Sequence, residues 1–174
     1  MKTKIFLQII ALCLTLSSCD SCKEKEWDIL PPETQTGANT FGCYVNGELF
    51  VKDREAIFTE KRLRINYYKN NKTLIINALS NNRTIYITVN ESEINVKNLI
   101  PFAYFMPSEY NSICAYFIGR ETGEIVFTKL DTINCIVSGR FQFQGQCSDF
   151  LLNKVSDSLI SVTNGRFDAK LYIY

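Results

Sequence analysis

The side chains of this chain that could act in catalysis are carboxylates, thiols and hydroxyls. Its 174 residues include no histidine. That absence excludes Ser–His–Asp and Cys–His catalysis and every metal site that uses histidine. The sequence also lacks a nucleophile elbow, a phosphate-binding glycine loop and a dinucleotide fingerprint. Most enzymes that hydrolyse glycosidic bonds use a pair of carboxylates. Three nearby pairs occur: Glu91 with Glu93, Glu121 with Glu124, and Asp53 with Glu55.

These carboxylate pairs do not indicate an active site. They lie in predicted turns, and a chain with 18 acidic residues forms such pairs by chance. We therefore predict that the protein is not an enzyme and that it binds no cofactor and no metal ion.

The first 18 residues have the layout of a secretory signal. Lys2 and Lys4 precede a short apolar run over residues 5–14, and small residues follow it. The run is shorter than a membrane span requires. The next residues, Leu16-Ser17-Ser18-Cys19, resemble a bacterial lipobox, in which the signal is cut before a cysteine that then carries lipid. We predict a lipoprotein signal peptide over residues 1–18 and lipidation at Cys19. The alternative is an ordinary signal peptide that is cut near Ser18.

Lipidation predicts where the protein resides. Each buried acyl methylene contributes about 0.8 kcal/mol, so several chains hold a protein firmly on a membrane. We expect a cell-envelope location, most simply the outer membrane. Residues 19–36 are then the lipidated cysteine and a flexible tether, and residues 37–174 form one domain. Acidic residues in the tether loosely resemble surface-export signals of Gram-negative lipoproteins, and the alternative is a solvated linker.

The charge balance argues against one class of partner. The chain has 19 basic and 18 acidic residues, a net charge of +1. Loss of Lys2 and Lys4 with the signal leaves 17 basic and 18 acidic residues, a net charge of −1. A nucleic-acid surface needs a basic stripe, and the sequence shows none. The expected partners are the membrane, through the lipid anchor, and a glycan, a peptide or a protein.

The cysteines that remain in the exported protein are disulfide candidates. Seven cysteines occur, of which Cys13 belongs to the signal, Cys19 is the predicted lipid site and Cys22 lies in the tether. An oxidising compartment permits disulfides, and four cysteines allow three pairings. The alternative is that they are small buried apolar residues. The candidates are Cys43, Cys114, Cys135 and Cys147.

Alternating apolar and polar residues predict an all-β domain. Leu63, Ile65 and Tyr67 alternate with polar neighbours, and the same pattern recurs over residues 84–89 and 167–173. Turn signals separate the runs, among them Asn46-Gly47, Asn81-Asn82, Thr122-Gly123 and Asn164-Gly165. This spacing predicts an antiparallel β-sandwich or a partly open barrel of about eight to ten strands.

Two stretches depart from the strand pattern. Residues 145–157 are predicted to be a loop, as are residues 91–112, which are rich in aromatic side chains. Loops on a β scaffold often carry binding. The predicted ligand contacts are Tyr104, Phe105, Tyr110 and Tyr116. The alternative is that Phe102 and Phe105 close one end of the barrel.

Two short motifs suggest modification. Asp131-Thr132-Ile133 and Asp157-Ser158-Leu159 resemble the aspartate–hydroxyl–aliphatic sites of O-glycosylation in the Bacteroidetes. Thr132 and Ser158 are the residues that would carry a glycan.

Three longer motifs carry a resemblance to a family. They read Leu30-Pro31-Pro32-Glu33-Thr34-Gln35-Thr36-Gly37-Ala38-Asn39-Thr40-Phe41-Gly42-Cys43-Tyr44-Val45-Asn46-Gly47, then Val137-Ser138-Gly139-Arg140-Phe141-Gln142-Phe143, then Val162-Thr163-Asn164-Gly165-Arg166-Phe167-Asp168. The first resembles the mature N-terminus of small, uncharacterised Bacteroidetes lipoproteins, and the others resemble the closing strands of that family. The resemblance implies a lipoprotein with a single domain, and it implies no catalytic residue.

These observations together predict a lipid-anchored, non-enzymatic binding or interaction module of the cell envelope. One alternative is an accessory component of a surface uptake system that binds a glycan or a peptide. Another is an inhibitor or immunity-type protein.

Overall fold

The structure, a computed structural model, describes residues 29–52, 62–90, 93–107, 114–149 and 154–174, with the backbone alone at 114–122, 147–149 and 154–157. Within these ranges the chain is all-β. No helix long and apolar enough to cross a membrane occurs among the described residues. The ten strands are β1 (Thr40–Val45), β2 (Glu48–Val51), β3 (Leu63–Tyr68), β4 (Thr73–Ser80), β5 (Arg83–Val89), β6 (Lys97–Leu99), β7 (Phe102–Met106), β8 (Cys114–Asp131), β9 (Ile136–Asp149) and β10 (Lys154–Ile173).

The strands form one sheet in the order β2-β1-β10-β3-β4-β5-β7-β8-β6, and β9 pairs with both β8 and β10. The fold is consistent with the predicted sandwich or partly open barrel. One detail of the prediction is wrong, because β10 runs parallel to β3, with Leu171 opposite Ile65. The reason is the length of β10, which pairs with β1 first and then continues alongside β3.

The alternating pattern places one face of the sheet in the core. Leu63, Ile65 and Tyr67 of β3 are buried, whereas Arg64 and Tyr68 between and beside them are exposed. The buried apolar side chains of the described strands form a single cluster. Hydrophobic burial is the main favourable term in folding. Burial of this cluster therefore stabilises the strands in which apolar and polar residues alternate strictly.

Two of the predicted turns are confirmed. Asn46 and Gly47 have φ values of 50° and 84° and join β1 to β2, which are paired through Val45 and Glu48. Asn81 and Asn82 have φ values of 47° and 62° and join β4 to β5. Both residues of such a two-residue hairpin turn need a positive φ, and asparagine and glycine tolerate it better than other residues.

Two other predicted turns are bulges inside long strands. β8 continues through Gly123 and β10 continues through Gly165, and each keeps β9 as its partner on both sides of the glycine. The register shifts between Ile118 and Gly123 in β8, and between Val162 and Gly165 in β10. A bulge absorbs extra residues without ending a strand, and it bends the strand locally.

The two predicted loops contain strands. The stretch 91–112 includes β6 and β7, and β7 pairs with β5 on one side and β8 on the other. The described part of the stretch 145–157 belongs to the paired ends of β9 and β10. Its first residue, Gly145, lies opposite Ile160 of β10. Pairing with long neighbouring strands therefore extends sheet structure into segments whose local pattern is irregular.

The domain also begins before the predicted boundary at Gly37. We call residues 30–38 the strap, because this segment lies across β1, β9 and β10. Pro31 is buried against Gly42 of β1, where a β-carbon would lie 2.6 Å from Pro31 Cδ. Arg166 of β10 donates to the carbonyl of Pro31 at 3.3 Å. The prediction of a flexible tether is therefore wrong for the strap residues up to residue 36.

Candidate functional site

Three aromatic side chains form a cluster on the outer face of β5 and β7, which we call the tyrosine face. Tyr86 stacks on Tyr104 with ring centroids 5.1 Å apart. The ring of Phe102 meets each tyrosine edge-on at 6.0 Å. Phe102 is 41% exposed, and the two tyrosines are half-buried. The cluster presents stacked rings to the surface on regular strands rather than on a loop.

The strand geometry of β7 separates the predicted ligand contacts. Neighbouring residues of a strand point to opposite faces, so Tyr104 lies on the outer face whereas Phe105 is only 6% exposed in the core. The prediction of Phe105 as a ligand contact is therefore wrong, because its side chain belongs to the core. The alternative, that Phe102 and Phe105 close one end of a barrel, does not hold for Phe102, which is exposed on the outer face. The backbone of Tyr116 lies opposite Phe105 in β8. Tyr110 lies outside the described residues.

Tyr86 was missed as a member of this cluster, although the sequence carries a signal for it. It stands between Ile85 and Ile87, at a position where the alternation of β5 calls for an outward side chain. Its cross-strand neighbours are Tyr104 on β7 and Asn77 on β4. The alternation of β5 therefore predicts that Tyr86 lies on the outer face, where it meets Tyr104.

Polar atoms adjoin the tyrosine face. The Oδ1 atom of Asn77 is buried and has no hydrogen-bond partner among the described residues. Such an orphan acceptor is costly and rare in folded proteins. Burial, and then the neighbouring Tyr86, raise the pKa of Tyr104, so its hydroxyl stays protonated at neutral pH and can both donate and accept.

A second group of tyrosines lies on β3 and the end of β10. Tyr68 stacks on Tyr174 at 5.4 Å, and Arg64 Nη2 donates to the hydroxyl of Tyr174 at 3.0 Å. Arg64 also lies over the ring of Tyr172 at 5.8 Å. The guanidinium group of Arg64 contacts both Tyr172 and Tyr174, so this group of side chains attaches the C-terminal residues to β3.

A polar depression runs along the outer face of β8, β9 and β10, and we call it the polar trough. It consists of two adjoining parts of about 320 and 390 Å³, which share Glu124 of β8 and Gln142 of β9. Gln144 and Thr163 line the first part, and Arg140 and Asn164 line the second. No local sequence pattern indicates this site, because its residues come from strands that are brought together only by long-range pairing.

Both carboxylates that line the trough are paired with a cation. Arg140 contacts Oε2 of Glu33 in the strap through Nη2 at 2.5 Å and through Nε at 2.7 Å. Lys97 of β6 contacts Glu124 at 2.7 Å. Gln142 donates to the other oxygen of Glu124 at 2.9 Å. These contacts hold the floor and the walls of the trough in one arrangement.

Asp168 of β10 joins the strap to the sheet. The residue is 1% exposed. Burial by itself raises the pKa of Asp168, but hydrogen bonds outweigh it and hold the pKa well below its usual range. The donors to its carboxylate, within 3.2 Å, are the hydroxyls of Thr34, Thr36 and Ser138 and the backbone N–H groups of Thr36, Gly37 and Ala38.

The cysteines that the structure describes with side chains are free. Cys43 lies in the core, where burial raises the pKa of its thiol far above the usual range, and Cys135 is half-buried. The prediction that these two residues form disulfides is therefore wrong. The side chains of Cys114 and Cys147 lie outside the described set. Their backbones belong to the neighbouring strands β8 and β9, in which Cys114 lies opposite Asp149 and Cys147 lies opposite Tyr116. Their participation in a disulfide stays a prediction.

The residues of the modification motifs lie on the surface. Thr132 is exposed in the turn between β8 and β9, next to Ile133, which is 90% exposed. Hydrogen bonds from Asn134 and Ile133 to Asp131 fix this turn and lower the pKa of Asp131. Ser158 of β10 is exposed as well.

None of the three carboxylate pairs is described in full. Glu93 is described and Glu124 lies in the trough, whereas Asp53, Glu55, Glu91 and the side chain of Glu121 lie outside the described residues. No group of three or more potential metal ligands occurs among the described residues. Cys19 also lies outside them.

Comparison of the chain with protein-family models, with curated proteins and with solved structures finds no match. The resemblance of its three motifs to a lipoprotein family therefore stays a prediction.

Proposed function

We propose that the protein is a lipid-anchored binding module of the cell envelope that holds a glycan on its tyrosine face and catalyses no reaction. The observation that carries the proposal is the stacked cluster of Tyr86, Tyr104 and Phe102 on the outer face of β5 and β7. The signal-like N-terminus and the lipobox-like motif at Cys19 support the location.

The chemistry of the tyrosine face favours a sugar ring as the ligand. A sugar ring has an apolar C–H face and a rim of hydroxyls, and it matches a surface of aromatic rings flanked by polar atoms. Asn77, which lies opposite Tyr86 on β4, is a polar residue beside these rings. Because the rings stand on paired strands, little ordering of the backbone is needed on binding.

The test is calorimetric titration of the lipidated full chain in detergent micelles with cellohexaose, maltohexaose and xylohexaose. We expect at least one to bind and Tyr104→Ala to weaken that binding about tenfold or more, because the stacked ring is lost. Tyr68→Ala is the matched control, since it removes another half-exposed, stacked tyrosine of the same sheet. Equal affinities of the Tyr104→Ala protein and the wild type would contradict the proposal.

A further inference from the structure

We propose that the polar trough over β8, β9 and β10 is a second binding site, which takes a linear, uncharged oligosaccharide along strand β9. The trough and the tyrosine face belong to different strands, so this inference goes beyond the function proposed for the tyrosine face. Each of the two sites can fail while the other stands.

The shape of the trough fits an extended chain. Arg140, Gln142 and Gln144 alternate with buried residues of β9 and so point to the same face. The four residue steps from Arg140 to Gln144 span about 14 Å at the usual rise of a strand. The bulge that ends at Gly165 in β10 lies beside this floor, and bulges bend strands and redirect side chains. The lining of the trough therefore extends along at least this length of β9.

The charges of the trough favour an uncharged ligand. Its lining contains two carboxylates, Glu33 and Glu124, and two guanidinium groups, Arg140 and Arg166. Glu33 is paired with Arg140, and Glu124 is paired with Lys97. Arg166 donates to the carbonyl of Pro31 in the strap. A ligand charged so as to bind Arg140 or either carboxylate would have to compete with an existing ion pair, whereas an uncharged ligand leaves both pairs in place.

The hydrogen-bonding groups favour hydroxyls. The side chains of Gln142, Gln144 and Asn164 offer both donors and acceptors, and Ser161 and Thr163 add hydroxyls. A sugar hydroxyl also both donates and accepts, so it can bridge neighbouring groups of this kind. Leu99 of β6, which is 66% exposed, lines the same trough and supplies an apolar contact for the C–H face of a sugar.

The test uses the lipidated full chain in detergent micelles and the same three oligosaccharides, with the double variant Gln142→Ala/Gln144→Ala. We expect at least one oligosaccharide to bind and the double variant to bind it about tenfold more weakly, since each amide contributes ordinary hydrogen bonds. Gln146→Ala is the matched control, because Gln146 is exposed on the same strand and the same face but does not line the trough. Thermal unfolding of each variant checks the fold.

The Tyr104→Ala variant, measured in parallel, separates the two sites. Weakened binding in the trough variant and unchanged binding in Gln146→Ala support the proposal. If Tyr104→Ala weakens binding and the trough variant does not, the trough site is overturned and the proposed function stays in place. Failure of all three oligosaccharides to bind overturns both proposals, and so does binding of a neutral Ser/Asn/Gly peptide in their place.

Discussion

At the scale of single residues, six hydrogen bonds converge on the carboxylate of Asp168. A carboxylate that accepts several N–H and O–H groups is stabilised in its charged form even when it is buried. The strap supplies all but one of the donors, and Ser138 of β9 supplies the remaining one. Asp168 therefore links the start of the domain with its last strand.

We predict that Asp168→Asn lowers the free energy of unfolding by about 3 kcal/mol at neutral pH, because charge-assisted bonds are lost and amide hydrogens face backbone donors. The folded-state pKa of Asp168 is below the ordinary value of 3.8. Its contribution is thus complete above the unfolded-state pKa and is lost as the pH falls towards the folded-state pKa.

Urea titrations at several pH values measure this effect. The stability difference between wild type and Asp168→Asn should be largest at neutral pH and should shrink below about pH 4. Asp131→Asn is the control, because Asp131 also accepts backbone hydrogen bonds but lies in the turn between β8 and β9, and it should cost less. A difference that does not change with pH would contradict the role of the Asp168 charge.

At the scale of elements, the strap is part of the sheet structure and not a linker. Pro31 packs on Gly42, Glu33 pairs with Arg140, and Thr34 bonds to Asp168. These contacts bring together the three motifs that carry the family resemblance, because residues of the first motif contact partners that lie 107 and 134 residues further along the chain. The motifs therefore form one structural cluster.

We predict that Gly42→Ala displaces the strap and lowers the free energy of unfolding by about 2 kcal/mol, because the new methyl group overlaps Pro31. Limited proteolysis with a glutamate-specific protease should then cut after Glu33 faster than in the wild type. Gly47→Ala is the control: it adds a methyl group in open space at a φ of 84°, so it strains only the β1–β2 turn. Equal cleavage rates at Glu33 in wild type and Gly42→Ala would contradict the prediction.

At the scale of the whole molecule, the position of the strap limits the distance between the domain and its predicted lipid anchor at Cys19. Eleven residue steps separate Cys19 from Leu30, where the contacts with the sheet begin. An extended chain of that length reaches no more than about 40 Å. The tyrosine face and the polar trough would therefore act close to the membrane surface.

We predict that the protein purified from native membranes lacks residues 1–18 and carries acyl chains on Cys19, as intact mass measures. Cys19→Ala should move the protein from the membrane pellet to the soluble fraction, because several acyl chains account for the attachment. Cys22→Ala is the control and should stay in the pellet. A Cys19→Ala protein that also stays there would contradict the anchor, and the same mass spectrum reveals any glycan at Thr132 or Ser158.

The sequence by itself determined those features that depend on near neighbours. The alternation of residues 63–67 is enough to predict β3 and its buried face. The dipeptides Asn46-Gly47 and Asn81-Asn82 are enough to predict two hairpins. In each case the cause is local, since side-chain direction alternates along a strand and a tight turn demands a positive φ.

Only the tertiary structure decided the features that depend on a distant partner. Gly123 and Gly165 read as turns but are strand residues, because β9 pairs with the chain on both sides of them. The local sequence around Thr34 and Thr36 predicts a polar tether. In the folded chain both residues donate hydrogen bonds to Asp168, which lies more than 130 residues further along the chain. Hydrogen-bond partners and strand register are properties of the folded chain, and no local pattern contains them.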